Sequence, residues 1–157
     1  MYIKNIMTKD VITVHKDDTV EKCANLLLTN DLTGLPVVDD DDRVLGMVTE
    51  GDLIRRASRI EGPAALEILG GIFYLDSPKK LVDDLKRSMG YLAQDIMTED
   101  VITVEPGKEI EDAATLMVQR RIKRLPVVDK EGILVGIVSR KDIMNHLFNK
   151  EDKAEEE

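Results

Sequence analysis

The feature that most constrains the fold is an internal repeat at an offset of 90 residues. Residues 6–54 align without a gap on residues 96–144, and 19 of the 49 aligned positions are identical. Average residue frequencies predict roughly 3 identities by chance. The chain is therefore a duplication of one unit. A unit of about 50 residues buries too little apolar surface to be comfortably stable alone, so we expect the two copies to share a core.

Each copy predicts the element order β-α-β-β-α, which is an α+β fold class with two such units packed in pseudo-twofold symmetry. The β-branched run at residues 11–14 predicts a strand, residues 35–39 and 44–49 predict a hairpin, and a second helix begins near Asp52. The first helix follows the strand in both copies. Its predicted buried face is Val20, Cys23, Ala24, Leu27 and Leu28 in the first copy, and Ile110, Ala113, Ala114, Met117 and Val118 in the second.

The predicted domain organisation is a first repeat at 1–57, a helical insert at 58–95, a second repeat at 96–149 and a disordered acidic tail at 150–157. The stretch from Arg55 to Asp95 is too long for a plain loop, and Ser77-Pro78 is typical of a helix start, so we expect a helix from there to Gly90 and a shorter one over residues 64–69. The apolar residues 72–75 pack in a core or form a homodimer contact, and the sequence leaves both possibilities open.

Composition disfavours nucleic-acid and membrane partners. Only 3% of residues are aromatic, there is no Trp, and the net charge is -9, so bases find few stacking platforms and phosphate backbones are repelled. The amino terminus lacks the apolar run of a secretory signal, and the longest apolar stretch, residues 64–75, contains Glu67 and is too short to span a bilayer. These features predict a cytoplasmic protein, with Cys23 as a packing residue.

The motif that carries chemistry lies where the hairpin meets the last helix of each copy. Both copies contain G-h-V-[TS]-x-x-D, at residues 46–52 and 136–142 (h is apolar). A Thr or Ser followed three residues later by Asp forms a capping box and needs no ligand. The same helix start also favours a phosphate through its free N–H groups and dipole, while the carboxylate can accept from ribose hydroxyls. One cap can serve both purposes.

The ordered blocks I-M-T, V-I-T-V, L-P-V-V-D and G-h-V-[TS]-x-x-D resemble paired cystathionine-β-synthase (CBS) domains, over about 98 of the 157 residues. The resemblance implies a regulatory, non-catalytic module that binds AMP, ADP, ATP or S-adenosylmethionine in a cleft between the repeats. It places Asp52 and Asp142 on ribose, and Thr49 and Ser139 on phosphate. The residues that it places around adenine, which simple packing in the sheet explains equally well, are Ile12, Thr13, Val14 and Pro36 with the copies Thr103 and Pro126.

The two copies differ in charge around this motif. Six positions gain a basic residue in the second copy: Asn30, Asp31, Thr33, Gly34, Glu50 and Gly51 become Arg120, Arg121, Lys123, Arg124, Arg140 and Lys141. Of these, Lys123, Arg124, Arg140 and Lys141 lie in or near the second motif, where they could donate charge-assisted hydrogen bonds to a phosphate. The sequence therefore predicts tighter phosphate binding at the second site. The alternative is an ordinary solvated basic helix end.

Other functions find less support in the residues. His15 and His146 are the only histidines, and nothing places either beside a nucleophile, so no enzyme is predicted. The acidic residues 39–42 lack the spacing of a calcium loop, so we predict a solvated turn and no metal. The module is expected to form a homodimer and to signal through an unidentified effector protein. A ligand-free dimerisation or protein-docking scaffold is the alternative function.

Overall fold

The computed structural model describes residues 1–58 and 91–149, and over these the chain divides into two compact units. Unit 1 comprises Met1–Val11, Asp41–Val44 and the chain from Ile102 onward, and unit 2 comprises Ile12–Asp40 and Leu45–Val101. The helices predicted over residues 64–69 and 77–90, the apolar patch at 72–75 and the tail at 150–157 lie outside the described residues.

Unit 2 contains the strands and helices of the first repeat. These are β1 (Val14–His15), α1 (Val20–Thr29), β2 (Gly34–Val38), β3 (Val44–Thr49), whose first residue clusters with unit 1, and α2 (Glu50–Ser58), followed by the short α3 (Ala93–Ile96). The sheet order is β1-β2-β3, and β1 runs parallel to β2 with Val14 opposite Val37. Thr19 is the N-cap of α1: its side-chain oxygen accepts from the Lys22 N–H at 3.1 Å, which satisfies one of the free backbone donors of the first turn.

Unit 1 repeats the pattern from the second half of the chain. A 3-10 helix (Ile3–Asn5) precedes α4 (Ile110–Arg120), β4 (Arg124–Val128), β5 (Leu134–Ser139) and α5 (Arg140–Phe148). Strands β4 and β5 are antiparallel, with Arg124 opposite Ser139, and Val104 bridges to Val127 in parallel. The predicted hairpins, the two helices of each copy and the α+β class are confirmed.

Each unit has its own apolar core. Most residues of the predicted helix faces are buried, but Leu28 is 50% and Val118 is 77% exposed, so those two predictions were wrong. Both lie eight residues after the first residue of the face, which at 3.6 residues per turn rotates them by roughly 80° from that residue, to the edge of the buried stripe. The core members are Val14, Cys23, Leu27, Leu35, Val37, Val48 and Ala93 in unit 2, and Ile3, Val104, Ile110, Ala113, Met117, Leu125, Val127, Val138 and Ile143 in unit 1.

The strand predicted over residues 11–14 was mostly wrong. Strand β1 begins only at Val14, and its copy contributes the single bridge of Val104 to Val127. In that copy, Val104 donates to the Pro126 carbonyl at 3.1 Å and accepts from Val128 at 2.9 Å. The preceding rung of this ladder would need an N–H from Pro126, which proline lacks. The proline therefore ends the parallel pairing, and residues 101–103 continue as irregular chain.

Each unit includes the Ile-Met-Thr segment that precedes the other repeat. In unit 1, Thr8 exchanges two backbone hydrogen bonds of 2.9 Å with Ile137, and in unit 2, Thr98 exchanges bonds of 2.9 and 3.0 Å with Met47. The glycines of the motif permit this close approach. A Cβ at Gly136 would lie 2.6 Å from Met7 Sδ, and one at Gly46 would lie 2.7 Å from Met97 Sδ. The compact units thus differ from the sequence repeats by this exchange.

Candidate functional site

Each unit contains one strand-to-helix junction that carries the motif. The first junction (residues 49–52) joins β3 to α2 in unit 2, and the second junction (residues 139–142) joins β5 to α5 in unit 1. Both are built by hydrogen bonds within four residues, so the local sequence alone determines most of their geometry.

At the first junction, the carboxylate of Asp52 folds back on Thr49. The Thr49 N–H and the Thr49 hydroxyl both donate to Asp52 Oδ2 at 2.9 Å, and the Asp52 N–H donates to Thr49 Oγ1 at 3.2 Å. Asp52 is only 8% exposed. These reciprocal bonds are the predicted capping box, and they hold one carboxylate oxygen in place.

The second junction has the same arrangement. The Ser139 N–H donates to Asp142 Oδ2 at 2.7 Å, the Ser139 hydroxyl donates to the same oxygen at 2.8 Å, and the Asp142 N–H donates to Ser139 Oγ at 3.3 Å. Asp142 is half-buried. The paired hydroxyl and carboxylate that the sequence predicts are therefore together in both units.

The backbone of each helix start leaves one amide open. The Glu50 N–H donates to the Thr33 carbonyl at 3.0 Å, and the Arg140 N–H donates to the Lys123 carbonyl at 3.1 Å, so the first donor of each helix is satisfied by the preceding loop. The next amides, those of Gly51 and Lys141, meet no acceptor among residues 1–58 and 91–149. Each junction thus places an open N–H beside a hydroxyl and a carboxylate, which suits an anionic or hydroxyl-bearing ligand.

The hydroxyls were predicted to face phosphate, but in the structure each donates its proton to the neighbouring carboxylate. A hydroxyl rotates freely, and Oδ2 of each Asp retains a backbone N–H when the hydroxyl turns away. Donation to a phosphate would therefore cost one of the two hydrogen bonds that this oxygen accepts.

The two carboxylates differ at their other oxygen. At the first junction, Asp52 Oδ1 forms an ion pair with the Arg55 guanidinium one helical turn along, and the Arg55 side chain is 67% exposed. The second copy has Asn145 at that position, and Asp142 Oδ1 has no hydrogen-bond or ionic partner within the described chain. Arg55 is not among the site residues predicted from the sequence, although its spacing of three residues after Asp52 places the two side chains on the same face of a helix.

The residues predicted around adenine belong to the segment before the first helix of each unit and to the hairpin strand that this segment pairs with. The register that sets Val14 opposite Val37 brings Thr13 beside Pro36, and Val104 bonds to the Pro126 carbonyl. The side chains of Val14, Pro36 and Pro126 are buried, so sheet packing accounts for them. The predicted residues that retain partly exposed side chains are Ile12, Thr13 and Thr103.

The predicted basic residues of the second junction divide into two groups. The Arg140 side chain is anchored, because its Nε donates to the Ile122 carbonyl at 3.2 Å. Lys123 and Lys141 are exposed and Arg124 is half-buried. The bond from Arg140 to Lys123 keeps the basic loop next to the helix start, so positive charge is concentrated where the open amide of Lys141 lies.

Unit 1 also contains a cavity of about 510 Å³, and of the predicted site residues Thr103 lines it. Its other walls come from β4, α4 and the turn after β4, at the opposite end of the hairpin from Ser139: Val104, Glu105, Lys108, Asp112, Thr115, Leu116, Val128, Asp129 and Lys130. The cavity is therefore separate from the second junction.

Three further features limit the chemistry of the described residues. Burial raises the pKa of the Cys23 thiol to about 11, so this cysteine is a packing residue at neutral pH, as predicted. Residues 1–58 and 91–149 contain no cluster of three or more His, Cys, Asp or Glu side chains suited to a metal ion. Over the same residues, no helix has the length and apolar character needed to cross a bilayer.

The repeated units and their matching junctions define the class of the molecule, a tandem pair of small α+β domains. A family model supports this assignment directly, since the model for the CBS domain matches residues 3–59 and 93–149. The chain belongs to the CBS domain family.

Relatives of known sequence differ in how much of their length the chain spans. It is 34% identical to protein MJ1426 of Methanocaldococcus jannaschii, covering 94% of this chain and 92% of that protein. It is 34% identical to the chloroplastic CBS domain-containing protein CBSX1 of Arabidopsis thaliana, covering 90% of this chain and 62% of the relative. Against an inosine-5'-monophosphate dehydrogenase of M. jannaschii, identity is 33%, covering 88% of this chain but 22% of the enzyme.

Solved structures have the same fold. A crystal structure of CBSX2 in complex with AMP matches with a TM-score of 0.73 and 29% identity, covering 95% of this chain and 97% of that one. The CBS domain pair of protein MJ0100, solved with 5'-methylthioadenosine and S-adenosyl-L-methionine, matches with a TM-score of 0.68 and 24% identity, covering 96% and 98%. The second likeness supports the fold alone.

Proposed function

We propose that the protein is a regulatory module that binds an adenine nucleotide or a related adenosyl compound at its strand-to-helix junctions. The observation that carries the proposal is the geometry of each junction, where a hydroxyl, a carboxylate and an open helix amide lie together. A ribose diol donates to a carboxylate, and a phosphate accepts from an amide and a hydroxyl, so the three groups match a nucleotide. The similarity to CBSX2, solved with AMP, supports AMP as the first ligand to test.

The second junction is the stronger candidate site. Asp142 retains an unpartnered carboxylate oxygen within the described chain, and exposed Lys123 and Lys141 lie beside the open amide. A phosphorylated ligand gains charge-assisted hydrogen bonds there that the first junction, with Glu50 and Gly51, does not offer. The site residues therefore remain as predicted from the sequence, with Ser139, Asp142 and Lys141 as the central group, and S-adenosylmethionine, ADP and ATP as further candidates.

Thermal unfolding tests the proposal. A ligand that binds only the folded state raises the melting temperature by mass action, so AMP, ADP, ATP and S-adenosylmethionine are titrated separately up to millimolar concentration. We expect at least one to raise the melting temperature of the wild-type chain, and we expect the rise to shrink in Asp142→Ala. No shift with any of the four would favour the ligand-free scaffold.

A non-catalytic role is part of this proposal. Within residues 1–58 and 91–149, the junctions offer no side chain paired as nucleophile and base. The dehydrogenase relative does not argue against this role, because the chain spans only 22% of that enzyme. Incubation with each nucleotide and analysis of the products checks it, since any turnover would contradict the regulatory role. The cytoplasmic location expected from the sequence stays a prediction.

Self-association is a second proposed property, supported by apolar exposure on unit 1. Helix α5 exposes Met144, Leu147 and Phe148, the last at 70%, and α4 exposes Val118. Leu147 and Phe148 follow Met144 by three and four residues, so the three side chains share one face of α5, and a contiguous exposed apolar face is typical of an interaction surface. We expect light scattering to give the molar mass of a homodimer for the wild-type chain and a mass closer to that of a monomer for Phe148→Glu. An unchanged mass in the variant would show that α5 is not part of the interface. An effector protein that uses the same surface would compete with dimer formation.

A further inference from the structure

The ion pair between Arg55 and Asp52 distinguishes the first junction from the second, and the capping box does not require it. The box uses Asp52 Oδ2, whereas Arg55 binds Oδ1. In the second copy the box forms equally well with Asn145 in place of arginine. Arg55 is therefore not needed to build the junction.

The guanidinium also covers the start of the helix. Its Nη2 lies on Asp52, and its Nη1 lies 3.4 Å from the position that a Cβ on Gly51 would occupy. That same position is 3.6 Å from Thr49 Oγ1. The guanidinium thus lies on the carboxylate that a ribosyl ligand would use, and close to Gly51 in the first turn of the helix. The absence of a side chain at Gly51 makes room for it.

A positive charge at a helix start is opposed by the helix dipole, and the ion pair with Asp52 offsets this cost. The Arg55 side chain is 67% exposed, and an ion pair of this exposure is weak enough for a ligand to displace.

We propose that Arg55 is a built-in competitor of the ligand: its guanidinium occupies the Asp52 carboxylate and the start of α2, so a ribosyl ligand binds the first junction only by displacing it. This inference depends on the proposed function. The second junction, with Asn145, needs no displacement. The apparent dissociation constant at the first junction equals the intrinsic constant divided by the fraction of molecules in which the carboxylate is uncovered.

Calorimetric titration with AMP tests the inference on the full chain, with one junction disabled at a time. In the Asp142→Ala background, Arg55→Asn should tighten binding at the first junction about three- to fivefold, as expected for release of an exposed ion pair. In the Asp52→Ala background, the reciprocal change Asn145→Arg should weaken binding at the second junction by a similar factor. Arg43→Asn is the matched control, because it removes an arginine paired with Asp41 in the hairpin turn, away from both junctions, and should leave both affinities unchanged.

Salt dependence with adenosine separates competition from a general effect of charge. Adenosine is neutral, so added salt acts on the Arg55–Asp52 pair rather than on the ligand. We expect salt to tighten adenosine binding at the first junction of the Asp142→Ala chain, and to have no such effect once Arg55→Asn is added. Arg55→Gln provides a second variant should Arg55→Asn fold poorly.

The outcomes separate this inference from the proposed function. If the wild-type chain binds no adenine ligand, both are overturned. If AMP binds through Asp142 but Arg55→Asn leaves the first junction unchanged, or weakens it as expected of a residue that recognises phosphate, only the competitor role is overturned. A gain in affinity cannot arise from structural damage, so it would support the inference directly.

Discussion

The two junctions form the same three hydrogen bonds between their Thr or Ser and their Asp, but they differ in the other side chains that lie nearby. The first has a buried carboxylate already paired with an arginine, and the second has a half-buried carboxylate with an open oxygen next to exposed lysines. The duplication has therefore retained the capping box in both copies while the surrounding residues have diverged. The shared hydrogen bonds cap the helices, and we expect the divergent side chains to determine whether a ligand can use the same groups.

The largest expected difference between the junctions is in ligand binding. Asp142→Asn should weaken the tighter binding of AMP about ten- to a hundredfold, because a hydrogen bond to a charged group contributes about 1.5–3 kcal/mol. Asp52→Asn should change the affinity of the tighter AMP site by less than about threefold, because Asp52 belongs to the other junction and distant sites act independently. Calorimetry on both variants, with melting temperatures as a check on folding, measures the difference. A larger loss from Asp52→Asn would reverse the assignment of the tighter site.

The free energy of unfolding should respond alike to the same glycine substitution in the two units, because both motif glycines lie against a methionine. Gly136→Ala and Gly46→Ala place a Cβ within 2.6 and 2.7 Å of Met7 Sδ and Met97 Sδ, and within 3.0 and 2.9 Å of the Thr8 and Thr98 carbonyls. Overpacking of this kind costs about 1–3 kcal/mol, and we expect similar losses in both variants by urea unfolding.

A double variant, in which Gly136→Ala is combined with a smaller side chain at Met7, is the control for the glycine variants. Met7→Ala removes the sulfur that a Cβ at Gly136 would meet. The double variant should lose less stability than the sum of the single changes, because the two residues are in contact. Strict additivity would show that the methionine is not what requires the glycine.

The capping boxes should be unequally sensitive to loss of their hydroxyls. Without its hydroxyl partner, Asp52 retains the Thr49 N–H and Arg55, whereas Asp142 retains only the Ser139 N–H among the described residues. Loss of an N-cap hydroxyl typically costs about 1 kcal/mol. We therefore expect Ser139→Ala to destabilise the chain by about that amount and Thr49→Ala by less, measured by urea unfolding. Equal losses would show that Arg55 contributes nothing to holding Asp52.

The sequence predicted the junctions well because they are local. A capping box is determined by residues three apart, so the motif alone placed Thr49 with Asp52 and Ser139 with Asp142, and the hairpins followed from alternating apolar runs. The exchange of the Ile-Met-Thr segments was not predictable in the same way. It pairs Thr8 with Ile137 and Thr98 with Met47 across long stretches of chain, and no local pattern records such pairing.

Two further features were missed for different physical reasons. The end of the parallel ladder depends on an N–H that Pro126 lacks, which becomes informative only once its pairing with Val104 is known. The Arg55 side chain is long and flexible, so it can extend into solvent or contact the Asp52 carboxylate. A spacing of three residues on a helix permits that contact but does not require it.

The smallest expected difference lies at the entry to the first helix of each repeat, where the first copy has Asp18 and the second has Lys108. Asp18 accepts from the His15 N–H at 2.7 Å and from Lys22 Nζ at 3.0 Å. Burial acts to raise the pKa of Asp18, but the His15 and Lys22 hydrogen bonds and the nearby positive charges together outweigh it, so the pKa lies below its ordinary value.

Because the folded pKa of Asp18 is lowered, its contribution to stability is complete above the unfolded pKa of about 4 and is lost as the pH falls through the folded value. Asp18→Asn should remove this contribution to the acid dependence and cost no more than about 1 kcal/mol at neutral pH, since its partner Lys22 is 54% exposed to solvent. Urea unfolding at intervals from about pH 6 to about pH 3 measures how the free energy of unfolding changes with pH, because this range spans the ordinary pKa of a carboxylate. Lys108→Gln removes a charge at the equivalent place without removing a carboxylate, so its stability should follow the wild-type slope. Because Asp18→Asn raises the net charge by one and Lys108→Gln lowers it by one, changes of slope in opposite directions would mean that net charge, rather than the contacts of Asp18, causes the acid dependence.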